Sequence, residues 1–173
     1  NLRMVGGKVM MDRNAPDALC DTPQSAYDDS KDLIARWHGK GRALYAISPR
    51  FAITSTPTQL EMAQALTKEH PECYLQTHLS ENQAEIELTL ELYQSARDYL
   101  DVYQMYGLLG DRSLFGHCLH LNGRERAAMA ETRSVAVFCP TSNLFLGSGL
   151  FSLESAAAHD IRVGLATDVG AGT

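Results

Sequence analysis

Basic residues are scarce, and that scarcity narrows the field first. Lys and Arg number 15 against 21 Asp and Glu, a net charge of −6 over 173 residues. Holding a nucleic-acid backbone needs a concentrated basic surface, which this chain lacks. No apolar run approaches the ~18 residues of a membrane-spanning helix. No basic-then-apolar leader opens the sequence, so nothing in it suggests secretion. Only four cysteines occur, Cys20, Cys73, Cys118 and Cys139, with no C-x-x-C among them. They read as reduced thiols of a cytoplasmic protein; neither a disulfide framework nor a structural zinc site is implied. Also missing are G-x-G-x-x-G and G-x-x-x-x-G-K-[ST], the phosphate-cradling fingerprints of nucleotide-binding open sheets.

What is present is an ordinary globular composition, 45% hydrophobic and 21% charged, with enough apolar residues for a sizeable core. Six stretches read as buried strands: 2–11, 43–47, 73–77, 113–116, 134–139 and 162–166. Most are apolar on both faces, as in a parallel sheet covered by helices. Helical punctuation lies between them. Thr22-Pro23 opens one helix, with Leu33, Ile34 and Trp37 on its inner face. Thr56-Pro57-Thr58-Gln59 reads as an N-cap, a first-turn proline and a capping-box Gln, followed by Leu60, Ala63 and Leu66 at helical spacing. A third helix covers 82–93 with Ile86, Leu90 and Tyr93 at helical spacing, and a shorter one lies within 99–109. Asn122 and Glu125 form another cap pair, and 152–159 is the last helix. Strand and helix alternate throughout, which argues for α/β with a parallel sheet.

The alternation suits an open doubly wound sheet and a closed (β/α) barrel alike. The placement of polar residues decides for the barrel. Ser48-Pro49-Arg50, Thr77-His78-Leu79-Ser80-Glu81, His117-Cys118, Pro140-Thr141-Ser142-Asn143 and Thr167-Asp168 each follow a strand. In a parallel barrel those ends share one mouth, where active sites lie. His78, His117 and Asp168 would converge there. Two imidazoles and a carboxylate suit zinc or iron, and an open position makes such a site catalytic. Glu81, three residues beyond His78, can reach the same cavity as a general acid/base that moves protons between water and substrate. Each residue also has a structural reading: a hydrogen-bonded strand-end His, an Asp capping a helix, a first-turn Glu facing the helix dipole, an ion-paired surface Arg. Convergence on one face favours the chemical reading. His38, His70 and His159 lie at helix ends, and His120 reads as structural.

On these residues the chain resembles the guanine deaminase family of the metal-dependent amidohydrolases. The segments Ser48-Pro49-Arg50-Phe51-Ala52, Gln76-Thr77-His78-Leu79-Ser80-Glu81-Asn82, Phe115-Gly116-His117-Cys118, Cys139-Pro140-Thr141-Ser142-Asn143 and Gly164-Leu165-Ala166-Thr167-Asp168 carry the likeness. The resemblance implies a partial TIM-type barrel, with about six of the eight strands covered. It implies zinc, with iron possible, held by His78, His117 and Asp168. It makes Asp168 the handler of the attacking water's proton and Glu81 the acid that protonates a purine ring nitrogen. Arg50 would recognise the guanine carbonyl, with Phe51 beside it. The reaction implied is guanine to xanthine and ammonia, by a homodimer in the cytoplasm. The nearest alternatives are an aminohydrolase of adenosine, cytosine or a triazine ring, and a non-catalytic scaffold on the same barrel.

One departure stands out. The family's first barrel strand ends in His-x-His, and no His-x-His occurs here. A closed barrel takes about 200 residues or more. The chain also opens on Asn1 and stops at Thr173 in a glycine-rich stretch. These features lead us to expect a fragment lacking the His-x-His strand and C-terminal elements, inactive alone.

Overall fold

The computed structural model describes residues 2–170. Most helix starts follow from short-range hydrogen bonding. At the head of α1 (Pro23–Trp37), Thr22 accepts from the Ser25 N–H and Ser25 Oγ accepts from the Thr22 N–H. The same reciprocal box opens α3 (Gln83–Leu92) through Asn82 and Glu85, and α5 (Gly123–Thr132) through Asn122 and Glu125. Ser152 caps α7 (Leu153–Ala158). Each box satisfies two amide donors that a helix start otherwise leaves orphaned.

The expected box at α2 (Pro57–Glu69) does not close. Thr56 accepts from the Gln59 N–H at 3.2 Å, but the Thr56 N–H donates to Asp12 Oδ1 at 2.7 Å instead of to Gln59. A distant carboxylate has displaced the local partner, and the Gln59 side chain is fully buried. The remaining helices are α4 (Tyr99–Met105) and α6 (Pro140–Phe145).

The chain divides into two compact units. The first comprises 1–77 with 106–108. It holds β1 (Met4–Gly6), β2 (Val9–Met10), β3 (Ala43–Pro49) and the start of β4 (Tyr74–Leu79). All pair in parallel: Met4 lies opposite Ala43, Val9 opposite Ser48, and Ala46 opposite Tyr74. β1 and β2 thus occupy successive stretches of one strand position beside β3. The expected single strand over 2–11 is interrupted at Gly7, where a Cβ would stand 1.8 Å from the Ala46 carbonyl oxygen. Leu60, Ala63 and Leu66 of α2 are fully buried, as their spacing requires. In α1, Ile34 is buried but Trp37 is half exposed, so it is not part of an inner face.

The second unit comprises 78–105 with 109–173. It holds β5 (Ser113–His117), β6 (Val135–Phe138) and β7 (Arg162–Leu165), again parallel, with Leu114 opposite Val135 and Val135 opposite Arg162. The last residues of β4 join it: the Leu79 carbonyl accepts from the Cys118 N–H at 2.9 Å. Tyr99, Tyr103, Phe115 and Met129 form its buried centre. α3 departs from expectation. Its buried positions are Glu85, Thr89 and the following Tyr93, while Ile86 and Leu90 are only partly covered. Polar Glu85 is drawn inward because its carboxylate accepts from the Glu81 N–H at 2.8 Å and the Asn82 N–H at 3.3 Å. No helix among the described residues is long and apolar enough to cross a membrane.

One ion pair in this unit gives a pH signature. Asp101 accepts from Arg97 Nη2 at 2.6 Å, Nε at 3.0 Å and the backbone N–H at 2.9 Å. The Arg97 side-chain bonds lead in holding the Asp101 carboxyl down from 3.8 to about 2. A depressed acid stabilises the fold above its unfolded pKa and stops doing so as pH falls through the folded one. Arg97→Ala should therefore be less stable than wild type at pH 6, with the gap closing between pH ~4 and ~2. Urea unfolding at a series of pH values checks this. A gap that ignores pH would show that the Asp101 charge is not what Arg97 stabilises.

Candidate active site

β4 runs past Thr77 to Leu79, so His78 belongs to the strand itself. Its carbonyl accepts from the buried Tyr103 hydroxyl at 2.9 Å. The His78 ring lies beside that of His117, with centroids 5.4 Å apart. His117 closes β5 and is 2% exposed. Its Nδ1 is 2.9 Å from Asn143 Oδ1 on α6, and its Nε2 is 3.7 Å from Glu81 Oε2. Burial pulls the imidazole down, but hydrogen bonds to Cys139 and Asn143 and the Glu81 charge outweigh it and lift its pKa from 6.5 to about 9. The surroundings favour positive charge there.

Glu81 is held from its other side. Ser148 Oγ donates to Glu81 Oε1 at 3.1 Å, across 67 residues of sequence. The Ser148 carbonyl in turn lies 2.9 Å from His120 Nε2, so His120 supports the loop that grips Glu81. Asp168 lies beyond β7 and accepts from Ser142 Oγ at 2.7 Å.

Backbone conformation marks the same places. Ser80 (φ 51°), His117 (φ 68°), Cys118 (φ 55°) and Asp168 (φ 51°) all take the left-handed region without being glycine. Side-chain-bearing residues avoid that region, and those that adopt it cluster at functional sites.

The structure thus gathers His78, Glu81 and His117, and sets Asp168 against Ser142. The ligand atoms of His78, His117 and Asp168 do not all lie within 4.8 Å of one another. Among the described residues, the group that close is His38, Glu72 and Cys73. There His38 Nδ1 already accepts the Tyr45 N–H at 3.1 Å, so that nitrogen is engaged in the fold.

Arg50 and Phe51 belong to the first unit. The Arg50 guanidinium lies 4.9 Å from the Phe51 ring centroid, and its Nη1 is 3.7 Å from Met11 Sδ. The Arg50 carbonyl accepts from Thr77 Oγ1 at 3.2 Å.

Residues 1–173 match the amidohydrolase family over their whole length. The chain belongs to that family. It is 56% identical over 173 residues to guanine deaminase of Escherichia coli strain K12, covering 100% of this chain and 39% of that protein. The solved structure of E. coli guanine deaminase matches it with TM-score 0.98 over 99% of this chain and 40% of that one. Guanine deaminase of C. acetobutylicum, with guanine bound in its active site, matches at 31% identity with TM-score 0.92, over 96% of this chain and 40% of that one. Atrazine chlorohydrolase of Arthrobacter aurescens, complexed with zinc, shares the fold at 18% identity and TM-score 0.89, over 99% of this chain and 39% of its own.

These likenesses make the fold a partial (β/α) barrel of the amidohydrolase kind. With β1 and β2 sharing one place, this amidohydrolase shows six strand positions among the described residues, against the eight of a closed barrel. The residue types of His78, His117 and Asp168 are ones zinc accepts: two neighbouring imidazoles, one with its Nδ1 hydrogen-bonded to Asn143, and a carboxylate. The sequence pointed to His78, Glu81, His117 and Asp168. It did not point to Asn143, Ser148 or Tyr103 as their supports. Asn143 lay within a quoted polar run, and Ser148 stands between Gly147 and Gly149, which flags a special loop without naming its partner.

Proposed function

We propose that the complete protein is a zinc-dependent guanine deaminase that hydrolyses guanine to xanthine and ammonia. The observation that carries this reading is the Glu81 carboxylate, held between Ser148 and His117 and beside the His78 strand, in a chain 56% identical to the E. coli enzyme. His78, His117 and Asp168 are the zinc donors this chain offers, iron being the alternative metal. Residues outside this sequence, including a His-x-His strand and C-terminal elements, complete the donor set and the barrel. When bound, zinc supplies Lewis-acid chemistry that brings the pKa of a water towards neutrality.

The chain's own residues do the rest. Asp168 accepts a proton from the attacking water. Glu81 delivers a proton to a ring nitrogen of guanine, so the ring does not accumulate full negative charge. The water oxygen bonds to C2, the amino group takes the proton held by Asp168 and leaves as ammonia as the C2–amino bond breaks, and the C2 hydroxyl returns a proton to Glu81 as the carbonyl forms. Arg50 reads the guanine carbonyl, with Phe51 beside it. The resemblance further supports a cytoplasmic homodimer.

Loss of guanine absorbance with matched ammonia release, in the complete zinc-loaded polypeptide with adenine and cytosine as controls, tests this. Guanine-selective turnover supports it; turnover of another aminated ring alone would overturn it. Arg50→Ala should raise KM for guanine by ~10- to 100-fold with a smaller change in kcat, the loss expected for one charged hydrogen bond made in ground and transition states alike. Steady-state kinetics reads this, and an unchanged KM would remove Arg50 as the base reader.

A further inference from the structure

We propose that Asn143 is a positioning residue for His117: its side-chain oxygen holds a hydrogen on His117 Nδ1 and so turns Nε2 towards Glu81. The inference rests on the deaminase reading above for its kinetic consequence, but its structural core is independent of it. An amide oxygen only accepts. With Asn143 Oδ1 2.9 Å from Nδ1, Nδ1 carries a hydrogen in the charged ring and in the neutral one alike. The opposite tautomer would set two lone pairs against each other. Nε2 is then the nitrogen left to meet a cation or a proton, and it faces the Glu81 carboxylate at 3.7 Å.

Asn143 is itself firmly held. It is 1% exposed, its N–H donates to the Cys139 carbonyl at 2.9 Å, and its carbonyl accepts from the Ser148 N–H at 2.9 Å. Those main-chain bonds survive a side-chain substitution, so the loop carrying Ser148 to Glu81 stays anchored when the Asn143 amide is changed. The amide also carries a penalty. Its Nδ2 is buried and has no hydrogen-bond partner. Packing alone would be served better by a leucine of similar size, since a buried unpaired donor destabilises. The amide is therefore placed for its oxygen.

The test uses the complete polypeptide, with two variants and a spectroscopic readout. In Asn143→Leu, zinc-loaded kcat on guanine should fall by ~10- to 100-fold, the usual effect of losing a partner that orients a metal-site histidine. KM should move by less than about threefold, because no substrate contact is lost. Asn143→Asp keeps an acceptor oxygen and should recover most of kcat. In 15N-histidine-labelled wild type, with His117 assigned through a His117→Gln variant, the hydrogen should sit on Nδ1; in Asn143→Leu that preference should disappear. A wild-type neutral ring with its hydrogen on Nε2 and none on Nδ1 would overturn the proposal, as would equal impairment of the Leu and Asp variants. If the wild type does not turn over guanine, the deaminase reading fails while the nitrogen spectra still decide the role of Asn143.

Discussion

Replacing Glu81 with Gln should lower kcat on guanine by ~10²- to 10⁴-fold while leaving zinc content unchanged. The two side chains are nearly isosteric, so Ser148 Oγ can still donate to the oxygen that replaces Oε1. What disappears is the charge 3.7 Å from His117 Nε2 and the ability to give and take a proton. Glu81 is not among the assigned metal donors, so metal retention separates a lost acid/base from a collapsed site. Turnover assays with metal analysis on the same preparation read both quantities. Near-normal turnover would remove Glu81 from the mechanism. Parallel loss of metal would make it a ligand instead.

Gly7→Ala should destabilise the complete polypeptide by about 3 kcal/mol or more, at the upper end of overpacking effects. The added Cβ would lie 1.8 Å from the Ala46 oxygen, 2.9 Å from its carbon and 3.2 Å from Ser48 Oγ. The first two are backbone atoms of β3, and no rotamer change moves them aside. The chain at β1 and β2 must shift off β3 to accommodate the methyl. The adjacent Gly6→Ala is the control: its Cβ would meet nothing nearer than Met4 Cε at 3.7 Å. Urea midpoints of the two variants should differ sharply, although the substitutions are neighbours of identical chemistry. Equal midpoints would show that the link between β1 and β2 yields easily.

Much of the framework was legible without coordinates because it is locally encoded. Thr22, Asn82, Asn122 and Ser152 cap helices with side chains that reach amides three residues away, so sequence spacing alone defines the bond. Runs apolar on both faces indicated parallel strands, and the strand ends carried the polar residues. The departures have separate causes. Asp12 takes the amide that Gln59 was expected to serve, from 44 residues away. The six-residue helix α6, too short to show a hydrophobic period, was not among the helices read from the sequence. Glu85 and Thr89 are buried where Ile86 and Leu90 carry the apolar signal; the Glu85 carboxylate is held there by the Glu81 and Asn82 amides.

The candidate site divides the same way. His78, Glu81, His117 and Asp168 could be nominated as candidates from residue type and position, and the structure brings the first three together. Which atoms face which could not. The Nδ1–Asn143 bond spans 26 residues, the Ser148–Glu81 bond spans 67, and the left-handed backbone at His117 and Asp168 has no glycine to announce it. Sequence by itself determined the α/β order and most of the helix caps, set by interactions within a few residues. Tertiary structure alone decided the broken strand at Gly7, the nitrogen that His117 presents and the grip on Glu81, because each depends on a partner brought near only by packing the parallel strands side by side.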